Sequence, residues 1–163
     1  AFLNSRLSKW YFERISTTTG VGTSRWKKFK LELLPIVKIP DDKQQPFIEC
    51  VDEIMELNKN LQETKQNFTN ELKLEKLTKK LQNFEELSFE EFITEYTKAL
   101  KLKFAYKLAE RNFKQEWQAI FENDKTLASG YKTEIEKTDK EIDKMVYELY
   151  GLSDEEIKII EDR

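Results

Sequence analysis

Apolar side chains recur every three or four positions along most of the chain, the spacing that places them on one face of a helix. This spacing predicts a first amphipathic helix over residues 2–15. A longer helix begins at Asp41 or Asp42 and runs through Leu72. The next apolar positions continue it as a short coiled-coil seam, formed by Leu74, Leu77, Leu81 and Phe84.

Helix-capping patterns divide the remainder of the chain. Ser88 with Glu91 and Ser153 with Glu156 each form the pattern of a capping box, which opens a helix at its first residue. The first box predicts a helix that carries its apolar stripe to Leu100, and the second predicts a short final helix ending near Glu161. Between them we expect one long helix over 107–150, closed by Gly151.

A different pattern occupies the segment before residue 41. The stretch Ser16–Ser24 is rich in hydroxyl residues and contains Gly20 and Gly22, which is typical of a loop. Residues 26–39 suit one or two strands, because apolar and polar positions alternate through Phe29, Leu31 and Leu33. The predicted fold class is therefore mainly α, with long antiparallel helices as a bundle or coiled-coil spacer and a small α/β element at the N-terminus.

Composition excludes several classes of function. The chain of 163 residues has no histidine and a single cysteine, Cys50. Catalysis by Ser-His-Asp or Cys-His groups, histidine-ligated metal sites and internal disulfides are therefore excluded. We find no secretory leader and no apolar run near the length of a membrane span, so a cytoplasmic protein without membrane contact is expected. Because the first residue is Ala1, we also expect a fragment of a longer polypeptide.

Net charge is divided unequally along the chain. Residues 1–38 carry eight basic and two acidic residues, a net charge of +6, whereas residues 39–163 carry 20 basic and 29 acidic residues, a net charge of −9. A basic head on an acidic body suggests a polyanion as the partner of the head. Hydroxyls, backbone amides and cations of the loop and strand could donate to phosphate oxygens. The candidate DNA-binding residues are Thr17, Thr18, Thr19, Gly20, Gly22, Thr23, Ser24, Arg25, Lys27, Lys28 and Lys30.

The head also resembles the last part of a target-recognition domain of DNA restriction–modification enzymes. The similarity lies in Leu3-Asn4-Ser5 with Trp10-Tyr11-Phe12, in Thr19-Gly20-Val21-Gly22, and in the basic residues that lead into Leu33-Leu34-Pro35-Ile36. Two later stretches extend it: Gln44-Gln45-Pro46-Phe47-Ile48 with Val51-Asp52-Glu53-Ile54, and the tail from Ile142 to Ile157, which is similar to the C-terminal end of type IIG restriction–methylation polypeptides.

The resemblance implies a division of labour within a longer parent. Residues 1–40 would be the end of the target-recognition subdomain, with its α/β remnant, and residues 41–163 a helical spacer. An upstream nuclease would use Mg²⁺, and an upstream adenine methyltransferase would use S-adenosylmethionine. This chain has neither the Asn-Pro-Pro-Tyr motif nor a glycine loop for that cofactor. It would bind no cofactor itself and would be non-catalytic, recognising double-stranded DNA for the upstream domains.

Two alternatives stay open at the level of sequence. The chain could be a helical docking module that packs on the catalytic domain or on another subunit, as in the related type I specificity subunits, through apolar surface near Trp117, Tyr147 and Tyr150. The chain could also be an independent enzyme, although it has few residues of the types that carry catalysis.

Overall fold

The structure is a computed structural model that describes residues 1–15 and 28–162. The chain divides into two compact units. The terminal unit falls within residues 1–54 and 136–163, and the central unit comprises residues 55–135. The functional division at residue 40 stays a prediction.

Helices account for the secondary structure of the described residues, in which no strand occurs. The mainly α class is therefore confirmed. The helices are α1 (Arg6–Ile15), α2 (Lys28–Leu31), α3 (Asp41–Glu71), α4 (Lys79–Gln82), α5 (Phe89–Ala99), α6 (Lys107–Tyr150) and α7 (Asp154–Glu161), with short 3-10 turns at Phe2–Asn4 and Phe84–Glu86.

Both predicted capping boxes are confirmed. The Ser88 hydroxyl accepts the Glu91 N–H at 3.3 Å, and the Glu91 carboxylate accepts the Ser88 N–H at 2.8 Å. Ser153 and Glu156 repeat this reciprocal arrangement at the start of α7. Hydrogen bonds from the Ser88 backbone and hydroxyl lower the pKa of Glu91, so its carboxylate stays ionised at the positive end of α5.

The C-terminal end of α6 has the geometry expected of its glycine. Gly151 has a φ of +62°, its N–H donates to the Glu148 carbonyl at 3.1 Å, and the Leu152 N–H donates to the Tyr147 carbonyl at 3.1 Å. This is a Schellman motif, in which a left-handed residue closes the helix. Gly130, by contrast, lies inside α6.

Replacing each of these glycines by alanine should therefore change stability in opposite directions. A Cβ at either position would meet no atom within 4 Å, so steric clash plays no part. Gly130→Ala should stabilise the chain by about 0.5–1 kcal/mol through helix propensity, and Gly151→Ala should destabilise it by about 1 kcal/mol through its left-handed backbone. Urea unfolding of both variants checks this, and shifts of the same sign would contradict it.

The strand predicted over residues 26–39 is wrong wherever the structure describes it. Lys28–Leu31 forms α2 instead, and the Leu34 N–H donates to the Leu31 carbonyl at 3.1 Å. Leu31 is half-buried and Leu34 is buried, whereas Leu33 is 58% exposed. The inward positions are thus spaced by three residues. Three alternating positions are too few to distinguish this spacing from that of a strand.

The coiled-coil seam is a second wrong prediction. Helix α3 ends at Glu71, and Lys73 takes a left-handed φ of 51°, so the chain turns before the seam would begin. Leu72, Leu81 and Phe84 are nevertheless fully buried. Turns and short helices place these residues in one core. Burial of apolar residues at this spacing therefore does not require a continuous helix.

Aromatic rings fill the core of the central unit. Phe92 lies at its centre, with its ring centroid 4.7 Å from that of Phe121 and 5.4 Å from that of Phe68. Tyr96, one turn after Phe92 in α5, pairs with Phe113, which lies about two turns before Phe121 in α6. The reversed order of these pairs makes α5 and α6 antiparallel, joined by the loop 100–106.

Candidate functional site

The first basic residue of the head has a structural role. The Arg6 backbone N–H donates to Asp143 Oδ1 at 2.8 Å, and its guanidinium Nε lies 3.3 Å from Asp143 Oδ2. Burial raises the pKa of Asp143, and Arg6 opposes that rise by favouring the charged form. The pair fixes the start of α1 on α6 and partly neutralises the Arg6 guanidinium, whose side chain stays 50% exposed.

Four other cations of the head are exposed and open to solvent. They are Lys9, Arg14, Lys28 and Lys38. Among the described residues, none of the four has a carboxylate oxygen within 4.0 Å. The Arg14 guanidinium lies 3.5 Å from the centre of the Trp10 ring, where a cation–π contact holds it without neutralising its charge.

The structure describes few of the candidate DNA-binding residues. Lys28 is exposed at the start of α2, and Lys30 lies in the same helical turn rather than on a strand. The other nine lie outside the described residues: Thr17, Thr18, Thr19, Gly20, Gly22, Thr23, Ser24, Arg25 and Lys27. Their role stays a prediction.

The central unit carries a second group of cations that the sequence did not lead us to predict as a site. Residues 98–111 contain five basic residues and one acidic residue, a local net charge of +4 within the acidic body. All five are exposed, and we call them the basic loop surface: Lys98, Lys101, Lys103, Lys107 and Arg111. The sum of charges over residues 39–163 is negative and does not show them. The net charge counted over windows of about 14 residues would have shown them.

The backbone of this loop is ordered by a helix-capping motif. Lys101 has a φ of 53°, its N–H donates to the Lys98 carbonyl at 3.1 Å, and the Leu102 N–H donates to the Thr97 carbonyl at 2.9 Å. These bonds close α5 in the same way that Gly151 closes α6. Phe104 then packs on Phe113 of α6, with ring centroids 5.4 Å apart. The loop is therefore held at both ends.

A buried carboxylate connects three elements of the central unit. The Glu85 side chain is 1% exposed and lies 2.8 Å from Lys65 Nζ on α3 and 2.7 Å from Lys132 Nζ on α6. Burial alone would raise the pKa of Glu85, but hydrogen bonds from Lys132 and Lys65 outweigh it and lower that pKa. The charged carboxylate therefore links the 3-10 turn that carries Glu85 to α3 and to α6.

The terminal unit contains an apolar cleft with a volume of about 500 Å³. Its walls include Phe2, Ile36, Val37, Phe47, Ile48 and Tyr150. Ile36 is 61% exposed and Ile48 is 47% exposed, so the cleft is open to solvent. The Tyr150 hydroxyl donates to the Pro35 carbonyl at 2.6 Å and thereby fixes the extended segment that carries Ile36.

One part of the predicted docking surface is wrong. Tyr147 is 5% exposed, because its ring packs inside the terminal unit rather than on its surface. Burial, followed by the nearby charge of Asp143, raises the pKa of Tyr147 to about 12. Trp117 and Tyr150 are partly exposed.

Two general features are absent from the part of the chain that the structure describes. No group of three or more Asp, Glu or Cys side chains is arranged to hold a metal ion in residues 1–15 and 28–162. In the same part of the chain, no helix combines the length and the apolar character needed to cross a membrane.

Comparison with known proteins assigns a family without assigning an activity. No curated protein and no solved structure matches the chain. A family described as "Domain of unknown function (DUF8810)" matches residues 40–146, which include all of α3, α4 and α5 and most of α6. This match covers well over half of the 163 residues, so the chain belongs to the DUF8810 family.

Proposed function

We propose that this chain is a DNA-recognition portion of a restriction–modification enzyme and that it has no catalytic activity of its own. The observation that carries the proposal is the state of the head. Lys9, Arg14, Lys28 and Lys38 are exposed, and no carboxylate of the described residues lies within 4.0 Å of them, although the chain as a whole is acidic. Cations in that state can neutralise phosphates and release the counterions condensed on DNA.

In this proposal the two parts of the chain have different tasks. Head cations hold the DNA backbone, and the hydroxyl-rich stretch Thr17–Ser24 contacts backbone or base edges. The helices that follow set the distance between the head and the upstream domains of the parent. Those domains would carry the methyltransferase and the nuclease, with S-adenosylmethionine and Mg²⁺ as their cofactors. This chain contributes the position on DNA rather than a chemical step.

A docking module is the second candidate, and the apolar cleft of the terminal unit favours it. Exposed Ile36 and Ile48 line that cleft and could receive an apolar segment of a catalytic domain or of another subunit. This candidate predicts binding to the partner protein without affinity for DNA. The two candidates are therefore separated by one pair of assays, duplex binding and co-purification with the partner.

Substitution of two head cations tests the first proposal. Arg25→Ala/Lys28→Ala should weaken binding to all duplexes alike and should reduce the slope of log K against log salt by about 2, since each lost phosphate contact contributes about 0.9. Fluorescence anisotropy with a labelled duplex at several salt concentrations measures both quantities.

The matched control removes two exposed lysines from the body, Lys43→Ala/Lys140→Ala. This control changes the net charge by the same amount and should leave the salt slope nearly unchanged. If the head variant and the control variant bound DNA equally well, the proposed role of the head would be wrong.

A further inference from the structure

We propose that the basic loop surface of the central unit is a second binding site for the phosphate backbone of double-stranded DNA. This inference shares its partner with the proposed function but depends on other residues, Lys98–Arg111, which nothing in the sequence reasoning assigned.

The basic loop surface is exposed, and its backbone is ordered. All five cations of the surface are exposed, and they extend from the last turn of α5 to the first turns of α6. The capping bonds at Lys101 and the Phe104–Phe113 contact fix the backbone between them. Because the loop is already ordered, binding would cost little conformational entropy of the backbone.

The acidic residue within this segment is already engaged. The Glu110 carboxylate lies 3.3 Å from Lys114 Nζ. The Glu90 carboxylate lies 2.9 Å from the same nitrogen. These hydrogen bonds raise the pKa of Lys114, whose single positive charge is shared by the two carboxylates. Among the described residues, no carboxylate lies within 4.0 Å of Lys98, Lys101 or Lys103, nor of Lys107 or Arg111. Their positive charges are therefore not neutralised by an ion pair within the part of the chain that the structure describes.

Helix polarity adds to the positive field. Lys107 and Arg111 lie at the start of α6, where the helix macrodipole favours anions and disfavours cations. Two cations at that end are unfavourable for the isolated helix, and a bound phosphate would reverse the penalty. The Tyr96 hydroxyl donates to the Leu72 carbonyl at 3.1 Å, which brings the end of α3 and the following Lys73 to the same end of the central unit.

The apolar residues around the surface favour DNA over a lipid bilayer as the occupant. Tyr106 is 65% exposed and Leu108 is 58% exposed, but Leu100 and Leu102 are each only 39% exposed. An interfacial helix enters a bilayer with a continuous apolar face opposite its basic face. Three of these four apolar side chains, Leu100, Leu102 and Tyr106, lie between α5 and α6 and are separated by Lys101 and Lys103. They do not form the continuous apolar face of a helix that would enter a bilayer, whereas the cations between them are open to phosphates.

The test compares two triple variants of the chain. Lys101→Gln/Lys103→Gln/Lys107→Gln removes the centre of the surface, and Lys43→Gln/Lys59→Gln/Lys140→Gln removes the same charge from exposed positions elsewhere. The first variant should reduce the salt slope by about 2 to 3, with an affinity loss of up to about eightfold per contact near 0.1 M salt. The second should leave the salt slope almost unchanged.

Amide chemical shifts make the test specific to the site. Addition of a duplex to the unmodified chain should shift amide resonances of residues 98–111, and vesicles of anionic lipid should not. Three results would each overturn this inference. They are equal DNA affinities and salt slopes of the two triple variants, amide shifts confined to the head, and stronger binding to vesicles than to duplex. Failure of the proposed function would look different, since Arg25→Ala/Lys28→Ala would then bind DNA normally while the loop variant did not.

Discussion

Replacement of Phe92 by alanine is expected to destabilise the central unit by about 3–5 kcal/mol. Phe92 is fully buried, and its ring contacts the rings of Phe68, Phe121, Tyr96 and Trp117 at centroid distances of 4.7–5.8 Å. Removal of the ring takes away its burial and leaves a cavity that several aromatic neighbours cannot fill together. Urea unfolding followed by tryptophan fluorescence measures the loss, because Trp117 reports directly on this core.

The matched control for Phe92 is an aromatic residue on the surface of the same unit. Tyr106 is 65% exposed, so Tyr106→Ala should change the free energy of unfolding by no more than about 0.5 kcal/mol. If both substitutions cost the same, the aromatic cluster would not be the core of the central unit.

The second large effect is expected at Glu85. Glu85→Ala leaves Lys65 and Lys132 without their shared carboxylate, and breaking a buried pair costs several kcal/mol when the remaining charge cannot reach water. Here the lysine side chains are 17% and 36% exposed, so both can be partly hydrated. We therefore expect a destabilisation of about 2 kcal/mol, below the range for fully buried pairs. Chemical denaturation at neutral pH measures it.

Glu86 supplies a control that shares a partner with Glu85. Its carboxylate lies 3.0 Å from the same Lys132 Nζ, but its side chain is 64% exposed. Glu86→Ala should cost between about 0 and 1 kcal/mol, as exposed ion pairs do. Equal costs at residues 85 and 86 would show that burial of the carboxylate does not matter.

The lowered pKa of Glu85 also fixes the direction of a pH effect. A carboxyl whose pKa is lower in the folded state stabilises that state above the unfolded pKa of about 4.3. This stability is lost as the pH falls through the lower, folded pKa. Glu85→Gln should therefore be less stable than the unmodified chain near pH 7, and the difference should shrink as the pH approaches about 3. A difference that grew on acidification would contradict the assigned network.

Local signals predicted the helices that local chemistry controls. The capping boxes at Ser88 and Ser153 and the glycine at 151 satisfy backbone groups within a few residues, so the bounds of α5, α6 and α7 follow from the sequence. Tertiary packing decided the segments where the prediction failed. In residues 72–84, Leu72 and Leu81 are buried in the same core although the chain turns between them. In the segment after α2, Leu34 is buried at a spacing of three residues from Leu31.

The candidate site was predictable in part. Sequence charge identified the basic head, and among its residues the structure separates the paired Arg6 from the open Lys9 and Lys28. The basic loop surface required the structure, because exposure and pairing decide whether a lysine is available and the sequence gives neither. Glu110 shows this, since it lies 3.3 Å from Lys114 Nζ and forms no ion pair with the five cations of that surface among the described residues.

We propose that an acidic chain of net charge −3 binds DNA through two basic surfaces. The most direct measurement is the affinity for a short duplex as monovalent salt rises from about 50 to 200 mM. We predict binding at low salt that falls steeply over this range, with a slope reduced separately by substitutions in the head and in the loop 98–111. Absence of binding at the lowest salt concentration, or an affinity that does not change with salt, would contradict the claim.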